Sequence, residues 1–260
     1  MSMKAALVPM LALAFASSIL CQVPDPYPPD PQTEPGRAVS WTKLAPNVLS
    51  DQKQIWTFPR KLGQRKYWIP ATAILGVTAG LVALDPKTAG YFRRSSSFDG
   101  FNHVFSGKAT DIGNIVAPLS LYAAGLIRKD SKMQSTALLA GEAIANAEIM
   151  TTVMKDVDRR LRPADIAPNG DFSDSWFRDN KRYLRSNGSF PSGHTIAAFS
   201  VATVIARRYG TQHRWVPYVA YGAAAVVGFS RMTVSSHFPS DVFMGAALGY
   251  SISRFTVLRE

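Results

Sequence analysis

The chain has 260 residues, with hydrophobic residues at 47%, charged residues at 18% and a net charge of +11. That is too apolar and too sparsely charged for a disordered protein, and a single cysteine excludes a disulfide framework or a cysteine-rich metal centre. The excess of positive charge calls for an anionic partner: phosphate groups, acidic lipid headgroups or nucleic acid.

Residues 1–21 read as an export signal, a signal peptide. Lys4 precedes an uncharged apolar stretch over 5–20, and Ala16, Ser17 and Ser18 offer a cleavage site. An uncleaved anchor helix is the alternative. Cys21 stands where a lipidated cysteine would, but the bulky Leu20 makes a poor lipidation signal. Residues 22–66 form a proline-rich tether and an amphipathic segment. The prolines between 24 and 35 resist helix and sheet. The basic cluster Arg60, Lys61, Arg65 and Lys66 then suits either an anionic membrane face or a solvated edge.

The catalytic domain is placed at 67–260. Six helices are predicted in it, over 67–84, 112–127, 136–155, 195–206, 215–230 and 242–253. Alanine and glycine dominate and strand signals are weak, so the fold class is all-α, a compact six-helix bundle. Only the first helix approaches the length of a membrane span. Burial inside a compact envelope protein is therefore favoured over six spans.

Three polar clusters interrupt this apolar body. Lys155 and Arg162 stand almost two helical turns apart, which puts them on nearly the same face of a helix that Pro163 stops. Taken alone, this cluster is better explained as a basic helix end complementing the macrodipole. Next comes Pro191-Ser192-Gly193-His194. Ser192 is a natural N-cap, Gly193 admits a ligand to the backbone, and His194 sits in the first turn of an anion-binding helix terminus. Last come Arg231, His237 and Asp241. Pro239 suits the first helical position, so Asp241 lies in the first turn and can orient His237.

The ordered set Lys155-x6-Arg162-Pro163, Pro191-Ser192-Gly193-His194 and Ser230-Arg231-x5-His237-x3-Asp241 resembles the signature of the type 2 phosphatidic acid phosphatase superfamily. That superfamily also holds bacterial class A acid phosphatases and vanadium haloperoxidases. The resemblance covers about 67–255 and implies an all-α bundle of that type. It implies a phosphatase working through a phosphohistidine. His237 would be the nucleophile, Asp241 its orienting group, and His194 the general acid and then base. Lys155, Arg162, Ser192, Gly193 and Arg231 would hold the phosphate. No cofactor or metal is expected, and vanadate should bind as a phosphate mimic.

The expected substrate is a phosphorylated small molecule or a lipid, including lipid phosphates and isoprenyl diphosphates. Nucleic acid is not an expected partner for an exported protein. The expected location is the periplasm or cell envelope, membrane-associated or integral. Two alternatives stand beside the phosphatase: a vanadate-dependent haloperoxidase and a non-enzymatic membrane-surface binder. The loop over 164–190, with Asp171, Asp174, Trp176, Phe177, Asp179, Lys181, Arg182 and Arg185, joins two walls of the pocket and is the expected lid.

Overall fold

The computed structural model describes residues 37–179 and 188–259. The expected signal over 1–21, the proline-rich stretch, Lys181, Arg182 and Arg185 lie outside the described residues. Among the described residues there are eight α-helices and no strand. In chain order they are α1 (Leu44–Thr57), α2 (Arg65–Arg94), α3 (Asp99–Val104), α4 (Gly107–Arg128), α5 (Ser131–Asp158), α6 (Gly193–Tyr209), α7 (Val216–Thr233) and α8 (Pro239–Ile252). The chain closes in a π-helical turn, Ser253–Val257. The six long helices are those predicted from sequence; α1 and α3 are additional.

The predicted and observed ends differ for local reasons. α2 runs to Arg94 because Asp85-Pro86, which reads as a stop, sits inside the helix. Proline removes one helical hydrogen bond, and tertiary contacts at Asp85 compensate. α4 begins early because Ser106 caps it, accepting from Ala109 N. α5 ends at Asp158, five residues before Pro163, because Arg159 turns into the left-handed region (φ 43°). Lys155 and Arg162 therefore do not share a helical face: Arg162 is extended and leads into the short turn Pro163–Asp165.

α6 is the central helix, flanked by α5, α7 and α8. Its side chains are buried along most of its length, Ile196 and Val204 completely. α8 crosses it at close range. A Cβ on Gly249 would fall 2.4 Å from the Ile196 carbonyl, and one on Gly245 would fall 2.9 Å from the Ser192 carbonyl. Only glycine permits that approach, and it brings the start of α8 beside the start of α6. The Ser192 N–H donates to the Asp241 carbonyl at 3.1 Å across the junction.

α1 packs on α5 through polar contacts. Arg37 pairs with Asp51 (2.5 Å) and with Glu142. Asn47 donates to Glu142 at 2.7 Å, and Asn146 donates to Asp51 at 2.9 Å. The polar residues that interrupt the apolar pattern of α5 are thus explained by the segment docked on them. A buried carboxylate needs such partners.

α2 and α4 are long and apolar enough to cross a membrane, by length and composition. α2 buries only Thr78, Asp85, Ala89 and Gly90. Leu75, Val77 and Leu84 on α2, with Ile112, Ile115 and Leu119 on α4, are all exposed. The expectation that the helices are buried inside a compact body does not hold for these two. Their apolar faces point outward, where water is a poor solvent for them.

Candidate active site

The three motifs converge where the C-terminal turn of α5 meets the starts of α6 and α8. His237 stands just ahead of α8 and is 3% exposed. Its Nδ1–H donates to the Ser189 carbonyl at 2.7 Å. The Asp241 carboxylate lies 3.7 Å from the same nitrogen. The proton on Nδ1 is therefore held first by a backbone carbonyl, with the carboxylate behind it. The consequence is the one a nucleophile needs: Nδ1 carries the hydrogen and Nε2 keeps its lone pair. Burial, with the cations Lys155 and Arg162 nearby, lowers the pKa of His237 to about 4. The ring is neutral at ordinary pH.

Asp241 occupies the first turn of α8, as its position after Pro239 predicts. Its Oδ2 accepts from the Phe238 N–H at 2.8 Å and from the Ser189 hydroxyl at 2.5 Å. Ser189 thus touches both residues, through its hydroxyl to Asp241 and its carbonyl to His237. Oδ1 accepts from Arg160 at 2.6 Å. Burial opposes the charge on Asp241, but these donors and the adjacent His237 keep its pKa below the usual carboxylate range.

Arg160 is the main residue that sequence reasoning passed over. It is 1% exposed. It donates to Asp241, to Ser240 Oγ at 2.8 Å, to Ser175 Oγ at 3.1 Å and to Asp85 Oδ2 at 2.6 Å. Its guanidinium lies 3.9 Å from the ring centre of Phe238 and 4.3 Å from that of Trp176. Asp85 also accepts from the Ser240 N–H at 3.1 Å. A buried arginine between two carboxylates is compensated on each side. The available signal was Asp85, a lone carboxylate in a long apolar stretch, which needs a buried partner.

Lys155 is 6% exposed, in the last turn of α5. Burial and the neighbouring Arg162 lower its pKa to about 8. Gly193 opens α6 beside it: a Cβ there would lie 3.8 Å from Lys155 Nζ and 3.3 Å from Thr151 Cγ2. The absent side chain leaves the start of α6 open toward the ammonium. Ser192 is at the N-cap position but makes no cap hydrogen bond. Its Oγ accepts from the Thr195 hydroxyl at 2.8 Å instead.

Arg231 is fully buried on α7, and burial lowers its pKa to about 10. It donates to the Phe105 carbonyl and to Ser230 Oγ, which fixes the guanidinium against the start of α4. His194, one residue into α6, faces α4. Its Nε2 is 2.8 Å from Asp111 Oδ1 and 3.3 Å from the Gly107 carbonyl. Burial and Arg231 lower its pKa, while Asp111 raises it. Asp111 was not among the residues expected from sequence.

Trp176 of the connecting loop packs on Arg160 and, at 5.2 Å, on Phe190. Asp174 pairs with Arg178 at the surface. Among the described residues no group of three or more His, Cys, Asp or Glu is placed to hold a metal ion.

The chain is an all-α protein in which two histidines, a buried carboxylate and three cations meet at a helix N-terminus. Residues 136–259, just under half of it, match the family model described as the PAP2 superfamily. It is similar to a lipid A 1-phosphatase of Porphyromonas gingivalis, 43% identical over 70 residues, covering 25% of this chain and 16% of that protein. It is also similar to a lipid A 1-phosphatase of Rhizobium johnstonii, 32% identical over 114 residues, covering 42% of each. A third relative is phosphatidylglycerophosphatase B of Bacillus subtilis, 33% identical over 108 residues, covering 39% of this chain and 46% of that one. The matches thus span less than half the length of these curated relatives. A solved transmembrane PAP2-type phosphatidylglycerolphosphate phosphatase from Bacillus subtilis overlaps 81% of this chain and 94% of its own, at 18% identity and a TM-score of 0.41.

Proposed function

We propose that the protein is a membrane-associated phosphatase that hydrolyses lipid phosphomonoesters through a phosphohistidine. The observation that carries this is His237: buried, neutral, and with Nδ1 tied to a carbonyl so that Nε2 holds the lone pair. A histidine so arranged beside three cations is a nucleophile for phosphorus. An isoprenyl diphosphate presents a similar terminal phosphate, with an anhydride oxygen in place of the ester oxygen as leaving group. The names of the relatives, lipid A 1-phosphatase and phosphatidylglycerophosphatase B, support a phosphate on a lipid.

In this reading Lys155, Arg162 and Arg231 neutralise the equatorial oxygens. The N–H of Gly193 and the hydroxyl of Ser192 complete the cradle. Phosphoryl transfer demands mostly positioning and charge neutralisation, which fixed cations and backbone donors supply. Nε2 of His237 attacks phosphorus as the ester oxygen leaves, and His194 donates a proton to that oxygen. His194 then takes a proton from water, which displaces His237 and releases phosphate. Asp241 and Ser189 hold the ring of His237 throughout.

The test is His237→Ala with a soluble aryl phosphate. Turnover should fall by at least about 10³-fold while the helical circular dichroism is unchanged. Acid-labile, base-stable phosphate should be trapped on the wild-type chain and not on the variant. Full turnover in the variant would remove His237 from the chemistry.

A further inference from the structure

We infer that an apolar groove between α4, α6 and α7 holds the hydrocarbon chain of the substrate. The inference rests on the lipid-phosphatase reading above and adds where the chain lies and which residues measure it. A cavity of about 320 Å³ is bounded by these three helices. Ala109 and Ala117 of α4 form one wall, Ala202 of α6 the floor, and Ala223 and Val227 of α7 the other wall. The wall residues recur at one- or two-turn spacing, so the groove follows the helix axes. From Ala198 to Ile205 along α6 it extends about 10 Å.

Two properties select the occupant. The first is polarity. Thr110 and Asn114 bring polar side chains to the wall, and each donates a hydrogen bond within the protein. Thr110 Oγ1 donates to the Gly107 carbonyl at 2.9 Å, and Asn114 donates to the His194 carbonyl at 3.2 Å. The remaining lining is almost wholly apolar. A peptide or a second polar headgroup would bury its polar groups there uncompensated.

The second property is continuity with the phosphate cradle. Phe105 lines the groove, and its carbonyl accepts from Arg231. Ala198 lies one turn beyond His194 on α6, and the carbonyl of Val227 accepts from Ser230, the neighbour of Arg231. A molecule that fills both spaces has a phosphate at one end and a hydrocarbon chain at the other. The exposed apolar face of α4, with Ile112, Ile115 and Leu119, lies on the helix that forms one wall. A chain entering from lipid would therefore stay in apolar surroundings.

The test uses the full-length protein in detergent. kcat/KM is measured for straight-chain alkyl phosphates from butyl to dodecyl, beside a soluble aryl phosphate. In the wild type it should climb with length by up to about four-fold per methylene and then level off. Ala223→Phe and Ala117→Phe, on opposite walls, should level off at shorter chains and lose at least ten-fold on dodecyl phosphate, while aryl phosphate turnover stays within about two-fold. A dodecyl phosphate carrying a terminal diazirine should label peptides from α4, α6 and α7.

A wild type indifferent to chain length, or labelling confined to other helices, would overturn the groove while leaving the phosphatase reading intact. Labelling of these three helices without turnover of any phosphate would support the groove and remove the phosphatase reading. Equal loss on aryl and dodecyl phosphates in both variants would count against the groove.

Discussion

At the scale of single residues, the site depends on keeping one base neutral and one cation charged. In the proposed mechanism, attack needs His237 unprotonated. Its depressed pKa of about 4 means that this condition fails only as pH falls through about 4. Phosphate binding needs Lys155 protonated, and with its pKa lowered to about 8 that charge is lost as pH rises through about 8. For an aryl phosphate whose leaving group needs no proton from His194, the profile of kcat/KM should therefore be bell-shaped, with limbs near these two values. Lys155→Arg should carry the alkaline limb upward, because a guanidinium stays charged. An alkaline limb that does not move in that variant would assign it to another group.

Arg160 acts through its neighbours rather than on the substrate. Arg160→Met removes the shared partner of Asp85 and Asp241 and leaves two buried carboxylates facing each other's surroundings. The expected cost is about 3–5 kcal/mol of folding stability, read by chemical denaturation. Combining it with Asp85→Asn should recover part of that loss, because one of the stranded charges is gone. A double variant no more stable than the single would separate Asp85 from the network.

At the scale of elements, the site is a product of how closely α8 approaches α6. Gly249 and Gly245 allow the contact, and His237 and Asp241 ride on the end of α8 that it positions. Gly249→Val would drive two methyl groups toward the Ile196 carbonyl. Overpacking of this kind costs about 1–3 kcal/mol. It should also lower kcat more than it raises KM, since the displaced group is the proposed nucleophile. Thermal denaturation and steady-state kinetics on a soluble ester read both effects.

The element scale also shows where sequence pattern was sufficient. The six long helices followed from apolar runs, and Pro239 marked the start of α8. Pro163 misled, because the true end of α5 is the left-handed Arg159. A non-glycine residue in that conformation leaves no compositional trace. It is held because Arg160 must turn inward to Asp85 and Asp241, a contact across the fold. The role of α1 was hidden for a similar reason. Asp51 pairs with Arg37 on its own segment and with Asn146 far along the chain.

At the scale of the whole molecule, charge and apolar surface are distributed along α2. Arg60, Lys61, Arg65 and Lys66 gather at its start, and Asp85 meets the site network near its end. From Arg65 to Asp85 the helix rises about 30 Å, the thickness of a bilayer's hydrocarbon core. The exposed apolar face of α2 lies between. The protein should stay in the membrane pellet after carbonate extraction. Replacing Leu75, Val77 and Leu84 together with Ser should release it. Release of the unaltered protein by carbonate would place these faces against another protein surface.

The sequence by itself determined the helical class and the three motifs in their order. The resemblance of those motifs to a phosphatase signature implied which side chains would meet a phosphate: Lys155, Arg162, Ser192, Gly193, His194, Arg231, His237 and Asp241. Helical class and motif order are local properties of periodicity and spacing, and they are written wherever the residues stand. Only the tertiary structure decided that Ser189 holds the ring of His237, that Arg160 links Asp241 to Asp85, that Asp111 meets His194, and that an apolar groove begins beside Arg231. Each of these joins elements distant in the chain. Their energies come from pairing buried charges and from surfaces that exist only once the helices have packed.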